Sequence, residues 1–143
     1  MTNGLTFNVL RGANKARLPQ FKNAKGEPAH EKEDGSDWSL AEWMNAVSGE
    51  LGEAANIIKK VRRGDLTLEQ AKPMLAEEFA DIVTYLDITA AQAGINLGEA
   101  TINKFNKVSK RVGSNIRIAA DDWYVVDMVT GKEVKDHAYK TKI

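Results

Sequence analysis

The sequence predicts an all-α fold, an antiparallel helical bundle carrying a small C-terminal β-hairpin. Three observations predict it. Apolar residues recur at spacings of three and four over two long stretches, one ending at Gly64 and one at Gly94. Helix-start and helix-stop residues flank those stretches. The one run rich in β-branched and aromatic residues is short and lies late in the chain, within 121–135.

Leu5 to Arg17 can form a first helix, with Leu5, Val9 and Leu10 on one side and Pro19 stopping it. From Gln20 to Asp37 the chain is polar and broken by Gly26, Pro28 and Gly35, which predicts a long loop; function and disorder are the two readings for a loop of this length. Ser39-Leu40-Ala41-Glu42 is a capping box, so a helix starts at Leu40. Its stripe is Leu40, Trp43, Met44, Val47, Leu51, Ala54, Ala55 and Ile58; Arg62-Arg63 suits its C-terminal dipole and Gly64 caps it. Thr67-Leu68-Glu69-Gln70 resembles a second capping box, and Pro73 suggests a short turn followed by a new helix. Leu75, Phe79, Ile82, Val83, Leu86 and Ala90 form the next stripe, and the short connector makes the two long helices antiparallel. Asn96 caps a further helix to Val112, with Leu97, Ile102, Phe105 and Val108 inward and Lys104, Lys107, Lys110 and Arg111 on its polar side. Trp123 to Val129, the turn Thr130-Gly131-Lys132 and Glu133-Val134 read as a hairpin.

The chain has 143 residues and a formal net charge of +0, which suits a single domain over 1–143 and argues against nucleic acid as a partner or a polybasic membrane anchor. Cysteine is absent, which excludes a disulfide framework, a thiolate metal site and a thiol nucleophile. The N-terminal residues lack a signal-peptide pattern and no stretch has transmembrane length, so a soluble cytoplasmic protein is expected, with no membrane partner.

Two carboxylate pairs at spacing i, i+3 stand out: Glu50 with Glu53, and Glu78 with Asp81. That spacing puts both members of a pair on one helix face. Each pair is embedded in apolar sequence, where unneutralised acids would repel one another and lose hydration. A divalent cation removes both costs, and four oxygen donors with no Cys and no nearby His favour Mg²⁺ or Mn²⁺ over Zn²⁺. The alternative is a solvated acidic face without a ligand.

Glu50-Leu51-Gly52-Glu53-Ala54-Ala55-Asn56, then Glu78-Phe79-Ala80-Asp81-Ile82-Val83-Thr84-Tyr85-Leu86, then Lys104-Phe105-Asn106 with Arg111, resemble the MazG-like all-α nucleoside triphosphate pyrophosphatases over residues 36–113. Gly49 departs from the pattern, where many members carry Glu, but the acidic pairs are intact. The resemblance implies a bundle of that type and hydrolysis of a nucleoside triphosphate between its α and β phosphates. It further implies that Glu50, Glu53, Glu78 and Asp81 bind Mg²⁺, for which Mn²⁺ can substitute, and are the catalytic set, with Glu50 a candidate to orient or deprotonate the attacking water. Lys59, Lys104, Lys107 and Arg111 are candidate phosphate ligands, each set against the simpler role of a solvated surface charge. Trp38, Tyr85, Asn45 and Asn56 are candidates for the base or sugar; Trp43, at its spacing, reads as core, and Asp87 as a reader, a cap or an interface residue. Trp38-x-x-x-x-Trp43, Tyr85-Leu86-Asp87 and Lys104-Phe105-Asn106-x-x-Ser109-x-Arg111 bring the chain nearest to the phage dATP/dGTP branch, which implies a purine dNTP and, for a phage-encoded chain, the host cytoplasm. The family forms homodimers or homotetramers, and two long amphipathic helices fit such an assembly. Rival readings are a dUTP or dCTP pyrophosphatase of the same superfamily, a non-enzymatic helical assembly module, and a ferritin-like di-iron protein. The last wants Glu-x-x-His pairs, whereas His30 and His137 lie far from the acids.

Overall fold

The computed structural model describes residues 4–119 and 125–132. Among them are four α-helices, α1 (Phe7–Arg17), α2 (Leu40–Arg63), α3 (Leu68–Gln92) and α4 (Leu97–Arg111), and two short strands, β1 (Ile116–Ile118) and β2 (Val125–Asp127). The chain groups into two compact units, Met1–Ile95 and Asn96–Ile143. No helix among the described residues is long and apolar enough to cross a membrane.

The first unit is built on the α2–α3 hairpin. The Ser39 hydroxyl accepts the Glu42 N–H, and the Glu42 carboxylate accepts the Ser39 N–H at 2.6 Å, so the expected capping box starts α2. Hydrogen bonds donated to it by the Ser39 N–H, the Ser39 hydroxyl and Lys32 hold the Glu42 carboxyl down at about 2. Gly64, at φ 82°, supplies the left-handed residue that ends the helix. Thr67 and Gln70 form the second capping box, and α3 then runs unbroken through Pro73. The expected break at Pro73 is therefore absent. The proline ring meets the carbonyl of Glu69, which lies in the first turn and can tilt outward, while Ala71 and Leu75 on either side are buried. Continuity also moves the second acidic pair from the expected first turns to the third and fourth.

Near the bend, Ala54 and Ile57 of α2 pack on Ala71 and Leu75 of α3, with Val61 and Ile82 against them. Glu53 lies ten residues before Arg63, the last residue of α2, and Glu78 ten residues after Leu68, the first of α3. At about 1.5 Å per residue both sit roughly 15 Å from the bend, at matching heights. Half or more of each expected stripe is left uncovered: Leu40, Met44, Leu51, Ala55 and Ile58 of α2, and Phe79, Val83 and Leu86 of α3, are exposed. The apolar arc of each helix is wider than one partner helix covers.

Farther from the bend, α1 lies on α3 through polar groups. Leu5 and Val9, the apolar side of the expected first helix, are 73% and 60% exposed. The contact is made by Arg11 and Asn14 instead. Arg11 Nε and Nη2 reach Asp87 Oδ1 at 3.0 and 2.9 Å, and Asn14 Nδ2 donates to Asp87 Oδ2 at 3.0 Å. Asp87 is fully buried, so these charge-assisted bonds replace its hydration. A 3-10 turn at Leu18–Gln20 follows α1. The 20–37 loop is ordered by two tight turns, closed by bridges between Lys22 and Pro28 and between Glu31 and Asp37. Gly26 and Gly35 supply positive φ in these turns.

In the second unit, the Asn96 side chain caps α4 by accepting the Glu99 N–H. Asn106 pins β1 to α4: its Nδ2 donates to the Ile118 carbonyl and its Oδ1 accepts the Ile118 N–H, both at 2.9 Å. β1 pairs antiparallel with β2, Ile116 opposite Asp127. The expected hairpin thus has a different partner: 125–127 pairs upstream with 116–118, while Trp123, Tyr124, Glu133 and Val134 lie outside the described residues. The pairing follows from Asn106, which holds 116–118 extended where sequence periodicity gave no strand signal. Phe105, expected inward, is 41% exposed.

Candidate metal centre

The matching heights of Glu53 and Glu78 bring the two acidic segments together. Glu50, Glu53 and Glu78 each offer a carboxylate oxygen within 4.8 Å of the others. Glu50 and Glu78 are half-buried in the seam and Glu53 is exposed at its edge. Burial, reinforced by the negative charges of Asp81, Glu53 and Glu78, pushes the Glu50 carboxyl up, and a hydrogen bond with Glu78 adds to the effect. Asp81 stands outside the triangle of three oxygens but is the strongest of the charges acting on Glu50. The donor set is all carboxylate oxygen, which suits a hard divalent cation with water and phosphate completing its shell. Oxygens all within 4.8 Å of one another approach the roughly 4 Å across an octahedral Mg²⁺.

Tyr85 lies one helical turn beyond Asp81 on the same face. Burial and the charges of Glu50 and Asp81 push its phenol up. A cavity of about 270 Å³ opens there, lined by Asp81, Thr84 and Tyr85 of α3, Asn14 and Arg17 of α1, and Phe21 and His30 of the loop. The rings around it are in mutual contact. His30 contacts Phe21 (5.5 Å between centroids), Trp38 (4.7 Å) and Trp43 (4.9 Å), and Trp43 reaches Tyr85 at 6.3 Å. Trp43 is fully buried and belongs to the core, as its spacing predicts. Burial lowers the pKa of His30, partly opposed by the charge of Asp37.

The candidate base and sugar residues do not converge on one cavity. Trp38 and Asn45 line a separate concavity of about 410 Å³ with Ala41, Glu42 and Ala46. Asn56 is exposed one turn beyond Glu53. Lys59 is exposed nine residues beyond Glu50, which at 3.6 residues per turn puts it on the opposite side of α2. Lys104, Lys107 and Arg111 are exposed along one face of α4, in the second unit. Asp87 is a buried anchor for α1 rather than a reader of base or sugar.

Sequence reasoning missed Asn14, Arg17, Phe21 and His30. Arg11, Asn14 and Leu18, spaced three and four apart, were the available signal: a mostly polar stripe on a short helix, opposite a lone Asp in an apolar one. No protein-family model matches the chain, and no curated protein matches it.

Proposed function

We propose that this chain is a Mg²⁺-dependent nucleoside triphosphate pyrophosphohydrolase. It cuts the α–β phosphate bond of a nucleoside triphosphate, with a purine dNTP such as dGTP or dATP preferred, and releases the monophosphate and pyrophosphate. The observation that carries the reading is the meeting of Glu50, Glu53 and Glu78 from facing helices, with Asp81 beside them. A bound Mg²⁺ supplies charge neutralisation for the polyanionic substrate and a water of lowered pKa. Glu50, whose carboxyl is pushed up by burial and its neighbours, is the group suited to orient that water and take its proton. Tyr85 borders the substrate on the Asp81 side. Lys59 lies on the far side of α2 from Glu50 and serves poorly as a phosphate ligand in its own subunit; Lys104, Lys107 and Arg111 keep that role as a basic face of α4. The exposed apolar residues of α2 and α3 support assembly into a homodimer or homotetramer.

The test is a product assay. Purified protein is incubated with each common dNTP and NTP in Mg²⁺ or EDTA, and pyrophosphate and orthophosphate are both quantified. Mg²⁺-dependent pyrophosphate with matching monophosphate is the expected result. Orthophosphate in its place, or no turnover of any nucleotide, rejects the reading.

A further inference from the structure

The cavity beside Asp81 contains a cation that the acids do not use. Arg17, in the last turn of α1, lines it together with Asp81, Tyr85, Phe21 and His30. Its guanidinium carbon lies 5.4 Å from the centroid of the Phe21 ring, which holds the side chain by a cation–π contact and leaves its N–H groups free in direction. Arg11, six residues earlier, is committed to Asp87; among the described residues Arg17 is in no salt bridge. Its charge is felt at Tyr85, where it partly opposes the upward push from burial, Glu50 and Asp81. The Arg11–Asp87–Asn14 clamp fixes the helix that carries it, so Arg17 is presented from a rigid element.

The cavity, at about 270 Å³, is just below the lower end of ordinary ligand pockets at roughly 300 Å³. It has room for the ring portion of a nucleotide but not for a triphosphate chain as well. Its lining combines the rings of Phe21, His30 and Tyr85 with Arg17 and with Asp81, which belongs to the acidic group. An anion seated at Arg17 would therefore lie at the junction between the rings in the cavity and the phosphates at the acids.

We propose that Arg17 binds the phosphate that stays with the nucleoside: the α-phosphate of the triphosphate and the phosphate of the monophosphate product. This rests on the pyrophosphohydrolase reading and names a residue and a subsite for it. The guanidinium fork would engage two oxygens of that phosphate. It would hold the phosphate while the pyrophosphate half departs.

The test is calorimetric binding in Mg²⁺ of dGMP and dAMP, and of deoxyguanosine and deoxyadenosine, to the wild type, Arg17→Ala and Arg17→Lys. Arg17 is exposed, so both variants should fold as the wild type does. Loss of a charge-assisted bond predicts monophosphate binding about 10- to 100-fold weaker in Arg17→Ala, with partial recovery in Arg17→Lys. Nucleoside binding and inhibition by pyrophosphate should not change. Equal monophosphate affinity in wild type and Arg17→Ala overturns the proposal. So does an equal loss for monophosphate and nucleoside, which would make Arg17 a stacking group. Pyrophosphate release by the same wild-type preparation judges the broader reading separately: turnover in wild type with unaltered monophosphate binding in Arg17→Ala sinks the role of Arg17 alone.

Discussion

The two ends of the α2–α3 hairpin are held by different physics. At the bend, Ala54, Ile57, Ala71 and Leu75 form a small apolar core from residues close in sequence. At the far end a buried carboxylate, Asp87, is satisfied by Arg11 and Asn14, more than seventy residues earlier, and His30 of the 20–37 loop packs with Trp38 on Trp43. The carboxylates lie between these ends. One end gives the site a fixed height on each helix; the other gives it a wall and a cation.

The sharpest way to break the middle is Glu53→Gln or Asp81→Asn. Each should reduce Mg²⁺-dependent pyrophosphate release by more than about a hundredfold while helix content by circular dichroism stays unchanged. Near-wild-type turnover in either variant would remove that residue from the site.

The ends themselves can be set against each other. Asp87→Ala strands Arg11 and Asn14 and should cost about 3–5 kcal/mol, with loss of amide protection concentrated in α1. Leu75→Ala opens a cavity at the bend and should cost about 2–4 kcal/mol, with protection lost throughout the hairpin. Indistinguishable exchange patterns would mean that the two ends do not differ as described.

The smallest expected effect is on pH dependence. The Glu50 pKa is higher in the folded protein than in the unfolded chain. Its contribution is therefore fully present below the unfolded value and lost as pH rises through the folded one. His30 acts in the opposite sense: its folded pKa is lowered, so its contribution is present above its unfolded pKa and lost as pH falls through the folded one. Comparison with Glu50→Gln isolates the first effect. The Tm gained from Mg²⁺ should be larger near pH 8 than near pH 5, and Glu50→Gln should flatten the difference. A Mg²⁺ gain independent of pH in the wild type would detach Glu50 from the cation.

What was legible in the sequence follows the same division. The capping boxes at Ser39 and Thr67, the Gly64 stop and the face shared by Glu50 and Glu53 are local, and periodicity and cap chemistry read them directly. Pro73 misled because a local helix-breaking rule was outweighed by burial of Ala71 and Leu75. The wall of the cavity was not legible. Arg17 lies off the Arg11–Asn14–Leu18 stripe of its short helix, Phe21 and His30 lie in a polar loop, and tertiary contacts alone give them a place beside Asp81. The strand at Ile116–Ile118 was missed for a related reason: a side-chain amide holds it, and three residues are too few to show alternation.

The equal distances of Glu53 and Glu78 from the bend make the stretch between them a ruler. A single residue inserted between Ala54 and Arg63 would shift Glu53 by about 1.5 Å and turn it by about 100° relative to its partner across the seam. Every residue of that stretch is therefore constrained in number, even where its identity is free. Any homologue that keeps the two acidic pairs should keep the same count between them, whatever happens to the loops elsewhere.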